Sequence, residues 1–149
     1  MSGAIPRMAW RPESMAEVAE AVRQCTADGL KLVPWGGGVA LSRETAPEPY
    51  DVALDLEALK RVLIYDPEDF TVTAECGITL DDLRATLAAK QQELPLEGAE
   101  AWGATLGGVL AANASGARRR ALGSPRDRVL GASFVTGDGV LAKSGGRVV

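Results

Sequence analysis

The sequence of 149 residues contains no histidine. Histidine is the commonest metal ligand in proteins and the side chain whose ordinary pKa best suits acid–base catalysis near neutral pH. Its absence removes the usual zinc centre and the usual catalytic base together. We therefore expect no metal site, and the sequence identifies no catalytic residue.

Aromatic residues, cysteines and long apolar runs are also scarce. An aromatic content of 5% argues against a platform on which bases stack, so we expect no nucleic-acid partner. Cys25 and Cys76 lack CxxC spacing, and neither requires an oxidising compartment. No apolar run reaches the roughly 18 residues of a membrane-spanning helix. These features predict a cytoplasmic protein without a transmembrane segment or a signal peptide.

The charge that is present is unevenly distributed. Residues 1–100 contain nine basic and eighteen acidic residues, whereas residues 101–149 contain seven basic and two acidic residues. A basic final third on an acidic body favours a local anionic ligand over general binding to nucleic acid.

Apolar periodicity predicts one α+β domain over residues 1–149. Ser14 and Glu17 form a capping box before an apolar helix face, and Gly29 ends that helix. Thr79 begins a second helix, which has Leu80, Leu83 and Leu87 on one face. Alternating or continuous apolar runs predict strands at residues 30–33, 51–56, 62–65, 70–74 and 129–135. Residues 137–139 are typical of a hairpin turn.

Three consecutive glycines, Gly36, Gly37 and Gly38, follow the first predicted strand of residues 30–33 after Pro34 and Trp35. Each glycine costs roughly 0.5–1 kcal/mol of chain entropy relative to alanine. Successive backbone N–H groups in a tight turn can hold a pyrophosphate, although a plain surface turn is equally compatible with the pattern. Leu41 occupies the last glycine position of a GxGxxG fingerprint, and no Gly-Lys-Ser/Thr follows, so neither common nucleotide loop applies.

A second cluster of small residues begins at Gly103. Small side chains allow a flat ring or a phosphate to approach the backbone. The same small side chains would also suit a short helix through 109–113 that packs closely on a sheet, so both interpretations stay open. Further along, Arg118, Arg119, Arg120, Arg126 and Arg128 are either phosphate partners or a solvated loop. The cluster comprises Gly103, Ala104, Thr105, Leu106, Gly107 and Gly108, followed by Asn113, Ser115 and Gly116.

The order of these motifs resembles the PCMH-type FAD-binding domain of the vanillyl-alcohol-oxidase superfamily. The resemblance covers the chain from about Trp10 to its end. It rests on RPESMAEVAEAV, VPWGGG, DPEDFTVTAECGITLDDL, GATLGGVLAANASGARR and PRDRVLGASFVTGDG, in that order. It implies an α+β fold of two subdomains with FAD between them. Here residues 1–58 would form the first subdomain, and 59–149 would begin a second that is incomplete.

The resemblance also implies which residues contact FAD. Residues 34–40 would form the pyrophosphate loop, Cys76 and Gly77 would approach from the second subdomain, and the second cluster would line the flavin. Trp35 stands where many relatives have arginine, and Val39 with Ala40 replaces a polar pair. The implied residues are Pro34, Trp35, Gly36, Gly37, Gly38, Val39, Ala40, Cys76, Gly77, Gly103, Ala104, Thr105, Gly107, Gly108, Asn113, Ser115 and Gly116.

Within the superfamily the chain is most similar to the FAD-binding E subunits of bacterial glycolate oxidases. This implies part of a flavin-dependent 2-hydroxy-acid oxidase or dehydrogenase, with glycolate as the leading substrate and other oxidase subunits as partners. The FAD would be bound noncovalently, because a histidine linkage is excluded, and the isolated chain would be inactive. The alternatives are another FAD-linked enzyme, such as a lactate dehydrogenase or an alcohol oxidase, and a non-catalytic module for subunit assembly.

Overall fold

The computed structural model describes residues 6–39, 49–96 and 103–146. Helices and strands alternate irregularly within these ranges, which confirms the predicted α+β class. The elements are β1 (Met8–Trp10), α1 (Met15–Ala27), β2 (Leu32–Trp35), β3 (Val52–Asp55), β4 (Val62–Asp66), β5 (Thr71–Ala74), α2 (Leu80–Ala88), α3 (Leu106–Ala111), α4 (Arg119–Leu122), a 3₁₀ helix (Pro125–Arg128), β6 (Gly131–Val135) and β7 (Leu141–Gly145).

Helix α1 begins as predicted, at a cap formed by Ser14. The Oγ of Ser14 accepts a hydrogen bond from the Glu17 N–H at 3.2 Å. The Glu17 carboxylate does not reach the Ser14 backbone; it accepts from the N–H of Glu13 at 2.9 Å and from the Ser14 hydroxyl at 3.1 Å. Gly29, with a φ of +64°, ends the helix as predicted.

A parallel sheet in the order β1-β3-β2 carries the pyrophosphate loop predicted at residues 34–40. Val52 of the central strand pairs with Met8 on one side and with Leu32 on the other. One face of the sheet packs on α1, where Val18 and Ala21 meet Leu54. Because β3 is the central strand of this sheet, Val52 and Leu54 are almost fully buried. The predicted strand at 51–56 is therefore confirmed at 52–55.

The antiparallel hairpin β4–β5 and helix α2 form a second packed layer. Thr79 caps α2 as predicted, since its Oγ1 accepts from the Asp82 N–H at 3.1 Å. The apolar face of α2 is buried against the hairpin, through a cluster of Ile78, Leu83 and Leu87 with Val62, Tyr65 and Val72. The predicted helix face and both predicted strands are thus confirmed.

The hairpin β6–β7 docks onto α1. The predicted strand at 129–135 is too long, because β6 begins at Gly131 and the side chains before it are exposed. In the turn, Arg23 donates to the carbonyl of Gly139 at 2.9 Å, and Thr26 donates to the carbonyl of Gly137 at 2.9 Å. Helix α1 is therefore held by the parallel sheet on one side and by this hairpin on another.

Within the described ranges no helix is long and apolar enough to cross a bilayer. The longest of these helices is α1, which has 13 residues. This observation applies to the described residues only, whereas the expectation from the sequence, that no transmembrane segment is present, concerned the whole chain.

Gly139→Ala is expected to destabilise the chain, whereas Gly137→Ala in the same turn is expected to be tolerated. Gly139 has a φ of +78°, a conformation that costs an L-residue about 1–2 kcal/mol. A Cβ there would also lie 2.8 Å from the carbonyl O of Ala19 and would overlap the Arg23 side chain. A Cβ added to Gly137 would meet nothing within 4 Å. Urea unfolding measures both variants, and equal midpoints would contradict the docking described above.

Candidate functional site

The structure brings together three of the segments predicted to contact FAD. Residues 103–108 run beside residues 76–80 and are tied to them by backbone hydrogen bonds. The Leu106 N–H donates to the carbonyl O of Ile78 at 2.9 Å, and the Gly107 N–H donates to the carbonyl O of Cys76 at 2.7 Å. In the glycine loop at 36–38, Gly36 and Gly37 lie against residues 103–105. Backbone contacts alone therefore bring these separated parts of the chain together at one candidate site.

The approach of the glycine loop to the second cluster requires residues without side chains. A Cβ placed on Gly37 would overlap the carbonyl O of Gly103, and one on Gly36 would overlap the Oγ1 of Thr105. Because the obstacle at Gly37 is backbone, it cannot rotate away as the end of a flexible side chain could. The glycine at position 37 thus serves the contact between two loops, a role that the sequence did not reveal.

Cys76 makes a comparable contact with residues 103–108, at Gly107, whereas Gly77 lies against residues 56–59. A Cβ on Gly107 would lie 2.8 Å from the Cβ of Cys76 and 3.0 Å from its carbonyl O. Gly77 is itself buried, and its N–H donates to Leu59 at 2.7 Å. These residues fix the distance between the layers at the candidate site.

The N–H groups of the glycine loop are available for a ligand. None of the hydrogen bonds within the described residues uses the N–H of Gly36, Gly37 or Gly38 as a donor. Successive free N–H groups in a tight turn form a concave surface of partial positive charge. Unbonded N–H groups in succession are what a pyrophosphate site requires, and the binding itself stays a prediction.

The other members of the loop have local roles. Pro34 and Trp35 belong to β2 and pair with Leu54 and Asp55. The Trp35 ring lies beside Gly38, and its indole N–H is buried without a hydrogen-bond partner among the described residues. Val39 packs against the core cluster of the second layer, which explains an apolar residue at this position. Ala40, also predicted to contact FAD, lies outside the described residues.

Thr105 and Asn113 mark the two ends of α3. Thr105 is 3% exposed, and its Oγ1 caps the helix by accepting from the Gly108 N–H at 3.3 Å. Asn113 has a φ of +46° and follows the last turn, a position that asparagine tolerates better than most residues. The short helix predicted at 109–113 is therefore displaced, since α3 spans Leu106–Ala111. Ala104 is buried in the core beside it.

Ser115 and Gly116 lie just beyond α3, in a shallow depression that Arg119 also lines. The Ser115 hydroxyl makes one long hydrogen bond, of 3.4 Å, to the carbonyl of Asn113. Its capacity to bind a further partner is largely unused. These two residues are placed where a ligand could reach them, in contrast to Thr105.

The titratable groups nearest the site are poor bases at neutral pH. Burial raises the pKa of the Cys76 thiol, which therefore stays protonated. The neighbouring Glu75 accepts hydrogen bonds from Arg61, at distances down to 2.7 Å, and this ion pair holds the pKa of Glu75 below its ordinary value. Among the described residues no group of His, Cys, Asp or Glu side chains could hold a metal ion.

Thr79 was predicted only as a helix cap, yet it also contributes to this site. It forms an isolated antiparallel bridge with Thr105, which joins α2 to the second cluster. A lone threonine before a helix gives no sequence signal for such a pairing, because the pairing is fixed by the fold.

The sequence as a whole matches a known protein family. A sequence profile of the FAD binding domain matches residues 6–145. The chain therefore belongs to the FAD binding domain family, and its cofactor is FAD. The unbonded N–H groups of the glycine loop and the orphaned indole N–H fit a phosphate-bearing cofactor.

Three curated relatives show the range of the family. D-2-hydroxyglutarate dehydrogenase of Xanthomonas citri pv. viticola is 34% identical over 132 residues, which cover 87% of this chain and 28% of the relative. Glycolate oxidase subunit GlcE of Escherichia coli K12 is 35% identical over 136 residues, covering 87% and 37%. The mitochondrial cytochrome D-lactate dehydrogenase of Arabidopsis thaliana is 29% identical over 143 residues, covering 96% and 25%. All three are oxidoreductases, and this chain spans well under half of each.

Solved structures confirm the predicted fold. 6-Hydroxy-D-nicotine oxidase from Arthrobacter nicotinovorans superimposes with a TM-score of 0.81 at 22% identity, covering 95% of this chain and 31% of that protein. Alkyldihydroxyacetonephosphate synthase superimposes with a TM-score of 0.75 at 25% identity, covering 93% of this chain and 25% of that protein. The architecture is thus that of the PCMH-type FAD enzymes.

Gly37→Ala is expected to destabilise the chain without ligand by about 1–3 kcal/mol, the usual cost of overpacking. Gly108→Ala is the control, since a Cβ there meets only the Thr105 Oγ1, at 3.2 Å. Denaturant unfolding of both apo variants tests the contact between the two loops. If Gly37→Ala unfolds at the same midpoint as Gly108→Ala, Gly37 is only a turn residue.

Proposed function

We propose that this chain is the FAD-binding part of a flavin-dependent dehydrogenase or oxidase that acts on a small 2-hydroxy acid. The observation that carries the proposal is the convergence of the glycine loop, Cys76 and residues 103–108 into one site with three unbonded N–H groups. Membership of the FAD binding domain family supports it.

The substrate class is supported by the relatives' names. 2-Hydroxyglutarate, lactate and glycolate, which appear in the three names, are all 2-hydroxy acids. Glycolate is the leading candidate, and D-lactate and D-2-hydroxyglutarate are the alternatives. Because GlcE is named as a subunit, we propose that this chain also works beside other subunits of an oxidase complex.

The chain's own residues would bind and orient the cofactor. The N–H groups of Gly36, Gly37 and Gly38 would bind the pyrophosphate, and the backbone at Gly107 and Gly108 would allow close approach. When bound, FAD would supply the redox chemistry by accepting a hydride equivalent from the carbon that carries the hydroxyl. The hydroxyl proton must pass to a base. Cys76 and Glu75 do not provide one at neutral pH, so we propose that the base lies on another part of the protein or on a partner.

The first test of this function is FAD binding by the purified chain. We expect flavin absorbance to coelute with the protein and to be released by denaturation, because the chain has no histidine for a histidyl linkage. Flavin that stays on the denatured chain would contradict noncovalent binding. A chain that never acquires flavin would contradict the proposal itself and would favour a non-catalytic module.

Gly108→Glu is expected to raise the Kd for FAD at least about tenfold relative to Gly108→Gln. Position 108 lies three residues after the Thr105 cap, where glutamate and glutamine both suit a helix start. The two variants are nearly equal in size and differ in charge, and a like charge near a phosphate costs more than about 1.4 kcal/mol when poorly screened. Calorimetric titration with FAD measures both, and equal Kd values would place the pyrophosphate elsewhere.

The 149-residue chain saturated with FAD is expected not to oxidise glycolate, D-lactate or D-2-hydroxyglutarate by itself. A positioned base contributes about 10²–10⁴-fold to such a step, and orientation of the substrate contributes more. Anaerobic bleaching of the flavin at high substrate concentration measures the reaction. Rapid bleaching would show that a base is present among these 149 residues.

A further inference from the structure

The arginines of the described residues fall into two groups. Every arginine in the first two described ranges forms an ion pair with an aspartate or a glutamate; these are Arg7, Arg11, Arg23, Arg61 and Arg84. In contrast, Arg119, Arg120 and Arg126 are exposed, and none of them forms an ion pair within the part of the chain that the structure describes. Among the described residues no carboxylate is ion-paired with these three arginines, and the charge of Arg126 is offset by its electrostatic interaction with the neighbouring Asp127.

The surroundings of these three arginines add to the positive charge. Residues 118–128 contain five arginines and a single acidic residue, Asp127. The Asp127 carboxylate accepts hydrogen bonds from the N–H of Ser124 at 2.7 Å and from its hydroxyl at 2.9 Å, so it holds the local turn together. Arg128 has a structural role as well, since it donates to the carbonyl of Leu122. We call Arg119, Arg120 and Arg126 the basic patch.

The basic patch lies near α3, because the 3₁₀ helix that carries Arg126 packs against that helix. Arg119 lines the same depression as Ser115 and Gly116, two residues that the family resemblance places beside FAD. The chain as a whole carries a net charge of −4 and would repel an anionic ligand at long range. A local positive surface beside a binding site reverses that repulsion and raises association rates by roughly 10–10³-fold in known cases.

We propose that Arg119, Arg120 and Arg126 attract the anionic pyrophosphate of FAD towards its site and so accelerate its binding. The inference rests on the proposed function, in that FAD must bind to this chain. In this proposal the basic patch increases the association rate of FAD, whereas the glycine loop determines its dissociation rate. A long-range role needs no contact between these arginines and the bound cofactor.

The test uses stopped-flow fluorescence of FAD mixed with the full 149-residue apo chain. The patch variant R119Q/R120Q/R126Q is compared with a control, R7Q/K60Q/K90Q, which removes three exposed positive charges from the acidic body. Both variants change the net charge equally. At low salt we expect the patch variant to bind FAD about tenfold more slowly, with an unchanged dissociation rate. At about 1 M salt, where the screening length is about 3 Å, the difference should disappear.

Several outcomes would overturn the inference. Equal slowing by the control would show an effect of net charge alone, and a change confined to dissociation would show direct contacts instead. Wild-type chain that binds no FAD would overturn the proposed function as well, whereas normal binding by the patch variant would overturn only this inference. Thermal melting checks that the triple variants are folded, and the single variants, each with a smaller loss, replace them if they are not.

Discussion

The candidate site depends on one constraint: two stretches of backbone touch where a side chain would ordinarily keep them apart. The carbonyl O of Gly103 occupies the position that a Cβ on residue 37 would take, and a Cβ on Gly107 would lie 2.8 Å from the Cβ of Cys76 and 3.0 Å from its carbonyl O. Residues 103–108 consequently contact both the glycine loop and residue 76. This packing holds the loop in place, and its N–H groups make no hydrogen bond among the described residues.

Apolar periodicity was a sound guide wherever one face of an element is buried. The leucines of α2 and the central strand β3 lie where the pattern predicted, because burial of their apolar side chains decides those elements. It was a poorer guide at Val129 and Leu130, two apolar residues that remain exposed and outside β6. A two-stranded hairpin is bounded by its backbone pairing, and hydrophobicity carries little information on where that pairing begins.

The site could be predicted only as a set of segments. Small residues at 36–38 and 103–108 indicated that a ligand could approach the backbone closely. The family resemblance indicated that this ligand is FAD. The sequence could not show that Gly37 faces Gly103, or that Thr105 is buried as a helix cap rather than turned to a ligand. Such facts depend on the distance between elements far apart in the chain, which no local pattern encodes. The roles of the predicted residues towards FAD itself stay predictions.

The docking of the β6–β7 turn on α1 has a consequence for how the chain reaches this structure. The two hydrogen bonds from Arg23 and Thr26 join residues separated by 116 and 111 positions. Contacts of such wide separation form late, because a large loop must close before they provide any stabilisation. During synthesis α1 emerges from the ribosome long before its partner does. The surface of α1 that contacts the hairpin therefore stays exposed to solvent until more than a hundred further residues have been added. During this interval a chaperone can bind the nascent chain.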